Sequence, residues 1–151
     1  MILDIHDELF SILKELESTT TGDWKPFQFV SDVISAKEAD SFPYAGLAYL
    51  STDTSVADSC KDRIVHTFTI RTLYPYKQSD TESKRAAMRV TEKALNELIN
   101  KIRSHKELSG LALKVGPLEA SMSPVSLPEE VSHWVWIVGN LNIQITLLQN
   151  Y

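Results

Sequence analysis

An α+β fold follows from three features of the sequence: a mainly antiparallel or mixed sheet of about four to five strands, packed by an N-terminal helix and one long central helix. Residues 80–104 carry apolar side chains at helical spacing over a long stretch. Residues 64–74 and 134–147 alternate apolar with other side chains, the period of a half-buried strand. The elements also run in the order α, β, β, β, α, β, β, which sets the helices on one face of the sheet.

The first helix is expected over roughly Leu3 to Glu17. Ile2, Ile5, Leu9, Ile12, Leu13 and Leu16 share one face, and Asp4, Asp7 and Glu8 lie near the start, where the helix dipole favours acids. The polar run Ser18 to Gly22 ends it. Trp24 to Val30 is β-like, with Phe27 and Phe29 on one side, and the polar stretch Ser31 to Ser41 has room for a helical turn. Pro43 to Leu50 reads as a second strand, with Pro43 at its first position, where no ladder donor is needed. Ser51 to Asp62 is polar and rich in turn formers, and is expected to be a loop.

Ile64 to Tyr74 is a stronger strand, rich in β-branched and aromatic residues. Ile64, His66, Phe68 and Ile70 make its more apolar face, and Val65, Thr67, Thr69 and Arg71 the other. The central helix follows, from about Asp80 to Ser104. Ser79-Asp80-Thr81-Glu82 fits a capping box. Ala87, Val90, Ala94, Leu98 and Ile102 form its core stripe, widened by Leu95 and Ile99, and Lys101 and Arg103 lie near its end. Leu111, Leu113, Val115 and Pro117 suggest a strand, and Ser121 to Ser132 a Pro-interrupted loop. The last segment alternates from Trp134 to Leu147. It fits one long strand or a hairpin turning near Gly139-Asn140.

The totals bound the function. The 151 residues suit one domain, residues 1–151, with surface enough to bury a core. Apolar residues are 43% and charged residues 23% of the chain, the balance of a globular protein. No apolar run approaches the ~18 residues of a membrane span, and the opening MILDIHDELF carries acids where a signal peptide carries bases. One cysteine, Cys60, excludes an internal disulfide. The net charge is −5, with no basic footprint for gripping nucleic acid; negative walls still let DNA slide past.

Patterns for catalysis and cofactors are missing: there is no GxSxG elbow, phosphate-binding glycine loop, dinucleotide fingerprint or HExxH. His6, His66, His105 and His133 lack metal-ligand spacing. No catalytic, cofactor or metal residue is therefore assigned. Cys60 lies beside Lys61, a neighbour that would favour a reactive thiol, but an incidental loop cysteine is the stronger reading. His66, on the apolar strand face, reads as a hydrogen-bonded core or interface histidine rather than a base, since no orienting carboxylate can be assigned to it. The acids Glu38, Asp40, Asp58 and Asp62 read as solvated loop residues. Trp134 and Trp136 share the face opposite the aliphatic stripe. Either chain covers them or they make a subunit contact, where tryptophan is enriched. The two long polar segments, Ser51 to Asp62 and Ser121 to Ser132, exceed the usual ~4–6-residue connection and are expected to order on docking.

The acidic amphipathic N-terminal helix, the strand Pro43 to Leu50 and His66-Thr67-Phe68-Thr69-Ile70-Arg71 lead into the helix Asp80 to Ser104. Leu108-Ser109-Gly110 and the alternating final strand follow. This pattern resembles the tail terminator (tail completion) proteins of long-tailed bacteriophages, over nearly the whole chain in element order. The segment from Thr20 to Pro43 is longer than a minimal member needs. The resemblance implies a structural, non-enzymatic virion protein, built in the host cytoplasm and placed at the tail-neck junction. Its subunits would form a homo-oligomeric ring, commonly a hexamer, which caps the tail tube, ends its polymerisation and offers a docking face to the head completion or connector protein. DNA would pass through the lumen without specific binding. A repeated heterologous contact closes into such a ring when its rotation fits. The expected subunit or tube contacts are His66, Arg71, Trp134, Trp136, Val56 and Cys60. Competing expectations are another neck component, such as a head completion or connector-adaptor protein; a small hydrolytic or metal-dependent enzyme with its site near Ser51 to Asp62; and a binding module that takes a peptide on its sheet edge.

Overall fold

The computed structural model describes residues 2–16, 29–30, 44–77, 80–105, 108, 110, 112, 114–125 and 134–150. The elements are α1 (Ile2–Lys14), β1 (Phe29–Val30), β2 (Tyr44–Asp58), β3 (Lys61–Lys77), α2 (Thr81–Arg103), β4 (Lys114–Val125) and β5 (Trp134–Asn150). The fold is α+β, as the alternation and helix pattern predict. The sheet order is β1-β2-β3-β5-β4. Its four long strands are antiparallel, and the two-residue β1 adds parallel to β2 at Ala45 and Gly46. No described helix is long and apolar enough to cross a membrane.

Both helices lie on one face of the sheet, because their apolar stripes have only that face to cover. Ile5, Leu9, Ile12 and Leu13 from α1 and Leu16 just beyond it, with Ala94, Leu95, Leu98 and Ile102 from α2, are buried in one cluster. Ala45, Leu47, Ile64, Phe68, Ile70, Leu141, Ile143, Ile145 and Leu147 complete it from the sheet. Thr91 joins the buried stripe of α2 despite its hydroxyl, which donates to the Ala87 carbonyl at 2.9 Å and so needs no water. Lys101 of α2 pairs with Glu15 at the end of α1, a link that holds the Glu15 carboxyl below its ordinary range.

Three expectations are corrected and one open alternative is decided. The segment Ser51 to Asp62 is not a loop. β2 runs to Asp58 and β3 starts at Lys61, so the pair forms one long hairpin with a turn at Ser59-Cys60. The Cys60 amide donates to the Asp58 carboxylate at 2.8 Å within that turn. The stretch reads as a loop because it is polar, and it is polar because residues 51–60 are all exposed. Its strand character comes from backbone pairing to β3, with β-branched Thr52, Thr54 and Val56 on β2.

The second correction concerns Ser121 to Ser132. β4 continues to Val125, with Pro124 tolerated because β4 is a sheet edge. Residues 126–132 lie outside the described set, as do 17–28 and 31–43, where a strand start and a helical turn were expected. β4 starts at Lys114, and Leu111 and Leu113, where the strand was expected to begin, lie outside the described residues. Between Val115 and Leu118 its register with β5 shifts, and Gly116 supplies the positive φ of 129° that this bulge uses.

Third, of the two readings of the last segment the single strand holds: β5 runs for 17 residues with no turn at Gly139-Asn140. Gly139 is there for close packing: a Cβ on it would lie 2.5 Å from Thr72 Oγ1 and 2.9 Å from Thr91 Cγ2. Fourth, the cap of α2 is Asp80, not Ser79. The Asp80 carboxylate accepts the amides of Glu82 at 3.0 Å and Ser83 at 3.2 Å, a contact typically worth ~1 kcal/mol. Ser79 itself lies outside the described residues.

Candidate functional site

The expected contact residues fall in three places. Val56 and Cys60 stand at the tip of the β2–β3 hairpin, with Val56 73% exposed and Cys60 an exposed free thiol. Arg71 sits mid-sheet on the helix-free face, half-buried, and its Nε donates to Asn140 Oδ1 on β5 at 3.3 Å. Its face is mainly neutral and polar: the cross-strand pairs Thr67–Gln144, Thr69–Asn142 and Arg71–Asn140 lie in succession along it.

Trp136 occupies the same face at the far end, opposite Pro75 and Val125. It is only 5% exposed, and Leu73 and Val138 beside it are buried too. Both faces of the sheet are therefore buried at that end, and the free chain itself covers Trp136. The backbone of Trp134 pairs with Lys77; its side chain is outside the described set.

His66 is on the core face and is 3% exposed. It lies at the root of the hairpin, between the buried Ile64 and Phe68. Its Nδ1 is 2.7 Å from Thr52 Oγ1 on β2, and the Thr52 hydroxyl is hydrogen-bonded in turn to the Tyr49 hydroxyl. The Tyr49 ring meets both His66 and Phe68 edge-on, with centroids 6.3 and 5.7 Å away, and His6 of α1 reaches Phe68 from above. His66 Nε2 is buried and meets no hydrogen-bond partner. Tyr49 and Thr52 were not singled out in the sequence, because a β-bulge at Leu50 resets the alternation between them. Tyr49 pairs with Phe68 and Ser51 with Thr67, so odd residues face the core before the bulge and even ones after it.

Burial disfavours the imidazolium and lowers the His66 pKa from 6.5. The folded state therefore holds fewer protons here than the unfolded chain does. This contribution to stability is intact above about pH 6.5 and is lost as pH falls through that value, until the folded histidine itself protonates. Urea unfolding at pH 7 and pH 5 should show the wild type losing more stability than a His66→Gln variant. Equal losses would mean that His66 titrates alike in both states.

Among the described residues no group of three or more His, Cys, Asp or Glu side chains is placed to hold a metal ion. What the fold presents instead is extended: a helix-free polar sheet face, a projecting hairpin and two sheet edges. No protein-family model matches this chain. Nor does any curated protein match it.

Proposed function

We propose that the protein is a tail terminator: a structural subunit that forms a ring, commonly a hexamer, on the finished tail tube of a long-tailed bacteriophage. The ring stops tube growth by occlusion and gives the head completion or connector protein its docking face. The observation that carries the reading is the sheet itself. Helices cover one face, the middle of the other is polar, and β4 and the part of β2 beyond β1 lie at opposite sides. A subunit with different surfaces at its two sides can make a heterologous contact, which closes into a ring when its rotation fits. The neutral polar face and the net charge of −5 suit a wall along which DNA passes without sticking.

In this reading the protein has no catalytic role. It acts at the tail-neck junction of the virion, after assembly in the host cytoplasm. The test is omission. Particles assembled without the chain should carry over-long or headless tails in negative stain. Normal, joined particles in its absence would remove the proposal.

A further inference from the structure

We infer that His66 is an acid-released latch: neutral, it holds the outer arm of β2, Ser51 to Asp58, against β3, and protonated it lets that arm go. The latch is independent of the ring reading. Three features meet to make it: a ring tied on one side, a buried nitrogen without a partner, and a hinge.

The tie is the 2.7 Å contact between His66 Nδ1 and Thr52 Oγ1, with Thr52 bonded in turn to the Tyr49 hydroxyl. On the other side of the ring Nε2 is buried and meets no hydrogen-bond partner. A neutral imidazole tolerates this, because one of its nitrogens is a bare lone pair. Orphaned buried N–H groups are the rarer case, so the hydrogen is assigned to Nδ1 and donated to Thr52. The imidazolium carries N–H on both nitrogens. Protonation therefore puts a second hydrogen and a full charge where nothing accepts them.

No carboxylate from any described element stabilises that charge, and the one charge felt at the ring, the amino end of the chain, opposes it. α1 brings His6 against Phe68. β2 brings the Tyr49 and Thr52 hydroxyls, while Asp53 belongs to the helix-free face with its partner Val65. β3 brings Asp62, two rungs nearer the hairpin tip on the face of His66. β5 brings Ile143, Ile145 and Leu147, which carry no charge.

Relief is nearest on the β2 side. β3 pairs with β5 over its whole length, Lys61 to Lys77. The arm has β3 on one side and no described strand on the other, and its residues are all exposed. Tyr49 and Thr52 are exposed as well, so the way from the ring to water leads past them. The bulge at Leu50 breaks the ladder between Tyr49 and Ser51 and gives the arm its hinge. A charged His66 that turns toward water displaces Thr52, and with it the strand beyond the bulge. The result is an edge strand that is docked at neutral pH and loose in acid.

The test is amide hydrogen exchange at pH 7 and pH 5, corrected for the intrinsic effect of pH on exchange. In the wild type the protected amides of the arm should open more in acid, by up to roughly 25-fold, the ceiling set by an ordinary histidine in the open arm. Amides between β3 and β5 should keep their protection. In His66→Gln the arm should exchange alike at both pH values. Thr52→Val, at an exposed position, unties the arm from its own side, so its arm amides should exchange faster than the wild type's already at pH 7. Equal arm protection at both pH values in the wild type would overturn the latch, as would the same acid response in His66→Gln. Loosening of β5 in step with the arm would overturn it too, since that is acid unfolding of the whole sheet. Should His66→Gln fail to fold, Thr52→Val decides: arm protection equal to the wild type's at pH 7 removes the latch.

Discussion

Replacing Phe68 with alanine should lower the stability of the protein by about 3–5 kcal/mol, the usual range for a buried phenylalanine. Phe68 is fully buried in the middle of β3, the strand flanked on both sides by long partners. It touches the aromatic cluster from two sides, through His6 of α1 and Tyr49 of β2. Its loss opens a cavity where helix, central strand and hairpin root meet, and rigid elements on each side limit collapse into it. For a chain of this size the melting midpoint should fall by roughly 6–20 °C. A shift of under 2 °C would show that the helix face does not rest on this ring. Phe68→Leu should recover most of the loss, since it restores apolar volume.

The second large effect is expected from the opposite change, added volume. Gly139→Ala should destabilise by about 1–3 kcal/mol, as overpacking in a dense core does. The new methyl would meet Thr72 Oγ1 at 2.5 Å, Thr91 Cγ2 at 2.9 Å and Leu95 Cδ1 at 3.3 Å. None of these is the free end of a long flexible side chain, and two belong to the helix that must stay docked. Thr72→Ala removes the nearest atom, and the Thr72 hydroxyl is buried without a hydrogen-bond partner, so its loss forfeits no internal bond. The double variant should therefore be more stable than the sum of the single changes. Chemical denaturation of the four proteins measures that coupling. Strict additivity would mean that the clash is relieved elsewhere.

These two sites show where the sequence is legible. The α1 face, the α2 stripe and the alternation of β5 are physical periodicities that a buried surface must leave behind, and each is read directly from the residues. Gly139 is the opposite case: beside Asn140 it carries the chemistry of a turn, and only the third dimension shows that α2 needs the space. The hairpin beyond Leu50 fails for a related reason. Its β2 strand is exposed throughout, so neither face leaves an apolar period there, and polar Ser51 to Asp58 looks like a loop.

The contact residues divide in the same way. His66 and Trp136 are noticed from residue type and strand position, but their burial depends on what covers each face. Tyr49 and Thr52 carry no local signal at all, since they meet His66 only through the β2–β3 register and the bulge within it. Register, set by bulges at Leu50 and Gly116, is what a one-dimensional reading lacks.

A subunit that ends a tube by closing on itself fixes the length of the tail. The most direct measurement is the length distribution of tails assembled with the chain withheld and then restored, scored in negative stain. A broad distribution of over-long tails that narrows to one length on restoration is the expected result. The same narrow length in both samples would contradict it.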